Sequence, residues 1–174
     1  MTLPEDGGDW SPTFGIIDFE ASSLDENSFP IEVGVAIVRA WEIESWASLI
    51  RPTREWLKRD AWSRRSQAVH GLSLDALSTA PIAADIVAEL NRKADGFAVL
   101  HCDGGSYDAH WLSELCAASG LKATFALADL AALISMRPAL RERYATLMRA
   151  SAMPNRAEAD ARKIAEVIVR LLRT

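Results

Sequence analysis

The chain has 174 residues, 49% hydrophobic and 25% charged, an ordinary globular composition that fits one domain with a single sizeable core. Its formal net charge of -5 argues against a protein that coats nucleic acid by bulk charge, and no apolar run approaches the ~18 residues that span a membrane. The acidic start lacks a signal-peptide core, so a cytoplasmic protein without a membrane partner is expected, and Cys102 and Cys116, with neither CxxC nor zinc-type spacing, are expected to be free, buried thiols.

Residues 1–13 carry two prolines, adjacent glycines and three acids, which predicts a mobile tail ahead of a single domain over 14–174. Residues 14–20, FGIIDFE, read as a first strand ending in two carboxylates. Side chains at i and i+2 of a strand share a face, so Asp18 and Glu20 stand side by side where the strand leaves the core. Residues 21–30 are rich in turn formers and make a loop beside them. Residues 31–40 and 41–51 alternate as two strands of an antiparallel hairpin, with Glu32 in the polar set.

Residues 52–77 weaken into short helical turns, with Trp56 and Trp62 as core or hinge aromatics and His70-Gly71 as a sharp turn. Residues 81–93 form a helix that buries Ile82, Ile86, Val87 and Leu90. Residues 96–102 make a short strand, a turn follows at Asp103-Gly104-Gly105-Ser106, and a helix from about Tyr107 to Ala118 carries Asp108 in its first turn. A weak strand over 123–128, a helix from Leu130 to about Met148, a break at 151–154 and a helix over 156–172 complete the chain. The last has an apolar face of Ala159, Ile164, Val167, Ile168 and Leu171. The sum is an α/β domain with a mixed five-stranded sheet flanked by helices.

Charge is distributed unevenly. Residues 1–50 hold ten acids and one base, whereas residues 137–174 hold nine bases against four acids, and residues 51–65 add Arg51, Arg54, Lys58, Arg59, Arg64 and Arg65. Most of these are expected to be solvated faces of helices, and only a cluster flanking the acids would track phosphates. Four acids at the ends of elements, Asp18, Glu20, Asp108 and Asp160, suit two hard divalent cations. Oxygen ligands favour Mg²⁺ or Mn²⁺ over zinc, which would recruit His or Cys.

The order of these motifs resembles the DEDD superfamily of 3'-5' exonucleases, the group of proofreading subunits, ribonuclease T and oligoribonuclease, over nearly the whole chain from Phe14. Asp18-Phe19-Glu20 is similar to its first motif, Ile31-Glu32-Val33-Gly34 to its hairpin strand, and His70-Gly71-Leu72-Ser73 to a downstream segment. Tyr107-Asp108 is similar to its second motif and residues 154–161, PNRAEADA, to its third. The resemblance implies a ribonuclease H-like fold, two divalent cations, Mg²⁺ or Mn²⁺, held by Asp18, Glu20, Asp108 and Asp160, and hydrolysis at DNA or RNA 3' ends. Stand-alone relatives commonly dimerise, so a homodimer is compatible with it.

One departure stands out. In the DEDDh branch the residue five before the last Asp is the histidine that acts as general base, and here it is Asn155; the tyrosine of the DEDDy branch, four before that Asp, is here Arg156. An amide orients a water but does not take its proton near neutral pH. Asn155 also reads as a helix N-cap, with Glu158 three residues on as in a capping box. His101, near the end of a strand, is the better placed substitute base or a buried structural histidine. His70 fixes its turn, and His110 points away from Asp108. Phe19 and Tyr107 are either stacking platforms for a terminal base or core packing. The loop with Ser22 and Ser23 occupies the nucleotide-contacting position of the family, with Ser23 where glycine is common. Arg156 and Arg162 are either phosphate contacts or solvated. Two readings follow, an exonuclease with an altered base and a catalytically silent module that binds nucleic-acid ends or a protein partner.

Overall fold

The first hydrophobic run becomes the middle of the sheet because both of its faces are apolar up to Ile17. In the structure, a computed structural model that describes residues 11–134, 138–150 and 152–173, β1 (Thr13–Ala21) lies between β2 (Pro30–Arg39) and β4 (Val99–Cys102). β2 pairs antiparallel with β1 and with β3 (Glu42–Leu49), whereas β4 runs parallel to β1 and to β5 (Ala126–Asp129), giving the order β3-β2-β1-β4-β5. The mixed five-stranded sheet is the expected one. Residues 1–10 of the predicted tail lie outside the described residues.

Helices cover both faces. On one, Ile17, Phe19, Val33, Val35 and Ile37 pack with α4 (Ala83–Lys93) and α5 (Ser106–Ser119); on the other, Phe14, Ile16, Ala36 and Val38 pack under α6 (Leu130–Ile134) and α8 (Ala157–Leu172), with α7 (Pro138–Arg149) beside them. By the two-residue period of a strand, Asp18 and Glu20 continue the Phe14 and Ile16 row. They therefore emerge on the α8 side. Three short helices, α1 (Arg54–Leu57), α2 (Arg64–His70) and α3 (Leu74–Leu77), fill the segment after β3, each started by a side chain, Thr53, Ser63 or Ser73, that accepts a backbone N–H. Trp56 is buried and stacks on Phe29, and Ser63 N–H donates to the Ser22 carbonyl, tying α2 to the loop after β1.

Several boundaries differ from the sequence reading. Ala40 and Trp41 take positive φ and turn the hairpin, so β3 begins at Glu42. Ile82 is the residue before α4 and is exposed, because the buried stripe starts one residue later at Ala83. The fifth strand is shifted to 126–129 by its pairing with β4, and the helix read over 130–148 is described as α6 and α7, with 135–137 outside the described residues. Cys102 is buried as expected, but Cys116 is only half-buried. On α8 the fully buried face is built of Ala157, Ala161, Ile164, Ala165 and Ile168, and small residues there let the helix lie close to the sheet; Ala159 and Val167 are half-buried. Among the described residues no helix is long and apolar enough to cross a membrane.

Candidate active site

Three carboxylates converge at the end of β1. Oxygens of Asp18, Glu20 and Asp160 lie within 4.8 Å of one another. Asp18 and Glu20 are brought there by strand geometry, and Asp160 by the first turn of α8, where its N–H donates to the Arg156 carbonyl at 2.9 Å. Asp160 is only 5% exposed and its Oδ1 has no hydrogen-bond partner among the described residues. A buried oxygen without a donor is costly, and a cation supplies what it lacks. The donor set and this orphaned oxygen fit a hard divalent ion.

Asp108, 1% exposed, approaches the same cluster from α5. Its Oδ2 accepts the Gly104 N–H at 2.9 Å, and a Cβ at Gly104 would collide with that carboxylate, so the Gly104-Gly105 turn is shaped around Asp108. The Cys102 thiol, which donates to the Ala128 carbonyl at 3.8 Å, feels the same acid, and burial together with Asp108 pushes the thiol up to about 12.

The electrostatics are those of anions short of counter-charge. Burial first, then Asp108, Asp103, Glu20 and Asp160, hold the Asp18 carboxyl well above its usual range. Burial, Asp160 and Glu32 raise Glu20 to about 7, against an opposing pull from Arg156. Burial raises Asp108 to about 6 and raises Asp160 as well, the nearby amides of Arg156 and Asn155 working the other way. Asp103, just past β4, was missed in the sequence and adds to the field on Asp18, Asp108 and Asp160. Its signal was present, an acid where an apolar strand runs out, much as Asp18 and Glu20 stand at the end of β1.

Asn155 does not cap α8. It takes φ 58°, a left-handed conformation that Asn tolerates, and the capping position belongs to Arg156, which makes no side-chain cap bond. Glu158, expected to complete a capping box, instead accepts from the Ser45 hydroxyl at 2.7 Å. The free start of the helix is met from another strand. Glu32 of β2 accepts the Ala157 N–H at 3.1 Å and a two-pronged bond from Arg156, Nε at 2.9 Å and Nη2 at 2.6 Å. Arg162 pairs with Glu166 at 3.0 Å and reaches the Ser45 hydroxyl at 3.3 Å.

Beside the acids lies a cleft of about 530 Å³ lined by Phe19, Glu20, Ser23, Leu24, Arg65 and His70, among others. His70 is 5% exposed; its Nδ1 accepts the Leu72 N–H at 3.0 Å, which puts the proton of the neutral ring on Nε2, and Nε2 has no partner among the described residues. Phe19 is buried against Trp111, with centroids 6.5 Å apart, whereas Tyr107 is 45% exposed and packs on the same Trp111 at 5.7 Å. Ser23 Oγ accepts the Asp25 N–H, and the fully buried Ser22 Oγ accepts the Phe29 N–H, so Ser22 braces the loop. His101 stands level with Ile16, two positions before Asp18, with Nδ1 3.4 Å from the Gly15 carbonyl, and burial lowers its pKa. His110 Nε2 lies 3.1 Å from the Ser28 carbonyl.

No protein-family model matches the chain, and no curated protein matches it. Solved structures do. The fold is similar to that of a 3'-exonuclease studied for 3'-end specific recognition of the histone mRNA stem-loop, with TM-score 0.70 and 19% identity over 94% of this chain and 83% of that one. It is similar to a full-length 3'-exonuclease, with TM-score 0.70, 18% identity and the same coverages of 94% and 83%. E. coli Exonuclease I in complex with a dA16 oligonucleotide matches with TM-score 0.68 and 13% identity over 88% of this chain, which spans 39% of that larger one. The mixed sheet and its flanking helices are the α/β fold of these 3'-exonucleases.

Proposed function

We propose that the chain is a metal-dependent 3'-5' exonuclease of the DEDD type, releasing nucleotides from the 3' ends of single-stranded or short DNA or RNA, with Asn155 standing in for a histidine base. Residues 14–174 form its single exonuclease-like domain. The observation that carries the reading is the convergence of Asp18, Glu20 and the buried Asp160, whose Oδ1 has no partner among the described residues, with Asp108 beside them, at the edge of a cleft within the size range of ligand sites. Folds shared with 3'-exonucleases, one studied with an RNA stem-loop and one with a DNA oligonucleotide, support the substrate class and leave DNA and RNA both open.

Asp18, Glu20, Asp108 and Asp160 would hold two divalent cations, Mg²⁺ or Mn²⁺, which when bound supply charge stabilisation and acidify water for phosphodiester hydrolysis. Beside them, the exposed Tyr107 offers an aromatic face to the terminal base, a contact tolerant of sequence, while Phe19 is packed in the core against Trp111. The free Nε2–H of His70 and the guanidinium of Arg65 donate to phosphate or sugar oxygens in the cleft. The Asn155 amide orients water and accepts no proton.

Asn155 also favours a second reading, a catalytically silent module that keeps the fold and binds nucleic-acid ends. A time course with a 3'-tailed oligonucleotide, as DNA and as RNA with Mn²⁺, separates them. If the protein cuts and Asp18→Ala is dead, it is a working exonuclease. If only Asn155→His cuts, the site is assembled but disarmed.

A further inference from the structure

The helix that delivers Asp160 has no cap of its own. Its N-cap residue, Arg156, makes no side-chain bond to the orphan N–H groups, and a helix start left in that state frays. Asp160 lies within the first turn, one hydrogen bond from Arg156. Besides the Asp160 carboxylate, which faces the backbone amides of Arg156 and Asn155, the start is held from outside the helix by Glu32, buried on β2, which takes the Ala157 N–H and both prongs of Arg156. Two planar groups joined by parallel bonds resist rotation as well as separation, so the fork sets the direction of the chain at residues 155–157.

Glu32 is also the register partner of Glu20 across β1 and β2. One carboxylate therefore ties the helix bearing Asp160 to the strand pair bearing Glu20. Gly34, opposite Asp18 in the same register, has no room for a Cβ, which would overlap the backbone of Ala157 and Glu158; the helix start sits directly on the sheet there. Engaged in this way, Glu32 stays out of the trio of Asp18, Glu20 and Asp160 although it neighbours Glu20.

We propose that Glu32 and Arg156 are a positioning pair, which sets the stance of Asn155 and Asp160 opposite Asp18 and Glu20 and thereby tunes cation affinity and turnover without contacting the cation. The catalytic part of this rests on the proposed exonuclease function; the structural part does not.

The test compares Glu32→Gln, Arg156→Gln and the double variant with the wild type. Three readouts are taken: amide hydrogen exchange at residues 157–160 in metal-free protein, Mn²⁺ affinity by calorimetry with Asp18→Asn as reference, and kcat and KM for 3'-nucleotide release. Each single variant is expected to speed exchange at those amides and weaken Mn²⁺ by about 10-fold or more, the usual cost of losing a group that orients a ligand. The kcat for 3'-nucleotide release is expected to fall with KM unchanged. The double variant should be little worse than either single, since the pair acts as one unit. Unchanged exchange and Mn²⁺ affinity in both singles, or effects that simply add in the double, overturn the proposal. If Arg156→Gln leaves the Glu32 charge stranded and does not fold, Glu32→Gln and the double, which bury no unpaired charge, carry the comparison. If the wild type binds Mn²⁺ no better than Asp18→Asn, the function proposal fails, and the exchange difference alone decides for or against the fork.

Discussion

The end of β1 and the start of α8 supply facing halves of one acidic site, and they are held by different means. Asp18 and Glu20 ride on a strand whose neighbours are the core itself, paired along its length with β2, so their directions follow from the backbone that carries them. Asn155 and Asp160 sit at a helix start whose own sequence makes no cap, with a left-handed residue before it, and they are held by a glutamate from β2. The first half is local and rigid. The second depends on a contact between residues 124 apart, which makes it the adjustable part of the site.

Breaking the rigid half should have the largest effect. Asp18→Asn is expected to lower 3'-nucleotide release by about 10³-fold or more, the scale of several kcal/mol of lost transition-state charge stabilisation, measured by product accumulation with Mn²⁺. The same variant should raise the metal-free melting temperature, because it removes a carboxyl crowded by Asp108, Asp103, Glu20 and Asp160. Restoring a base on the adjustable half comes next. Asn155→His is expected to raise kcat by about 10² to 10⁴, and histidine, like asparagine, is among the residues that tolerate the left-handed backbone there.

Pushing the two halves apart gives a smaller, structural effect. Gly34→Ala places a methyl against the backbone of Ala157 and Glu158, an overpacking of about 1–3 kcal/mol, seen as a melting temperature lower by roughly 5 °C. The pH dependence sharpens the same picture. Glu20 and Asp108 titrate near 7 and 6 in the folded chain, above their unfolded values, so between about pH 4 and 7 the folded state binds more protons than the unfolded state. Metal-free stability should therefore fall as pH rises through that window, by an order of 5 °C between pH 5 and 8 in a thermal melt. Stabilisation by Mn²⁺ should grow over the same range, since binding displaces those protons. Smallest is Arg65→Ala at the cleft wall, expected to raise KM a few-fold and to shallow the salt dependence of oligonucleotide binding by about one phosphate contact, measured by titration at several ionic strengths.

The sequence carried the strands and the amphipathic helices because each repeats a local period, two residues or three to four, that survives without knowing its neighbours. It misplaced edges where a neighbour decides. The hairpin turn falls on Ala40 and Trp41 although neither is a turn former, since the β2–β3 pairing closes at Arg39 and Glu42. The cap of α8 was read into Asn155 and Glu158 from spacing alone, while in the fold the left-handed turn removes the first and Ser45 of β3 takes the second.

By itself the sequence determined that Asp18 and Glu20 share a face at the end of a buried strand, and that Asp108 opens a helix just past another, because side-chain direction within an element follows from its own φ and ψ. Only the tertiary structure decided that Asp160 closes the trio with one oxygen unpartnered, that Asp103 adds its charge to theirs, and that Glu32 leaves them to cap α8. Those outcomes depend on the register between β1 and β2 and on how closely α8 settles over Gly34, and no stretch of chain encodes either alone.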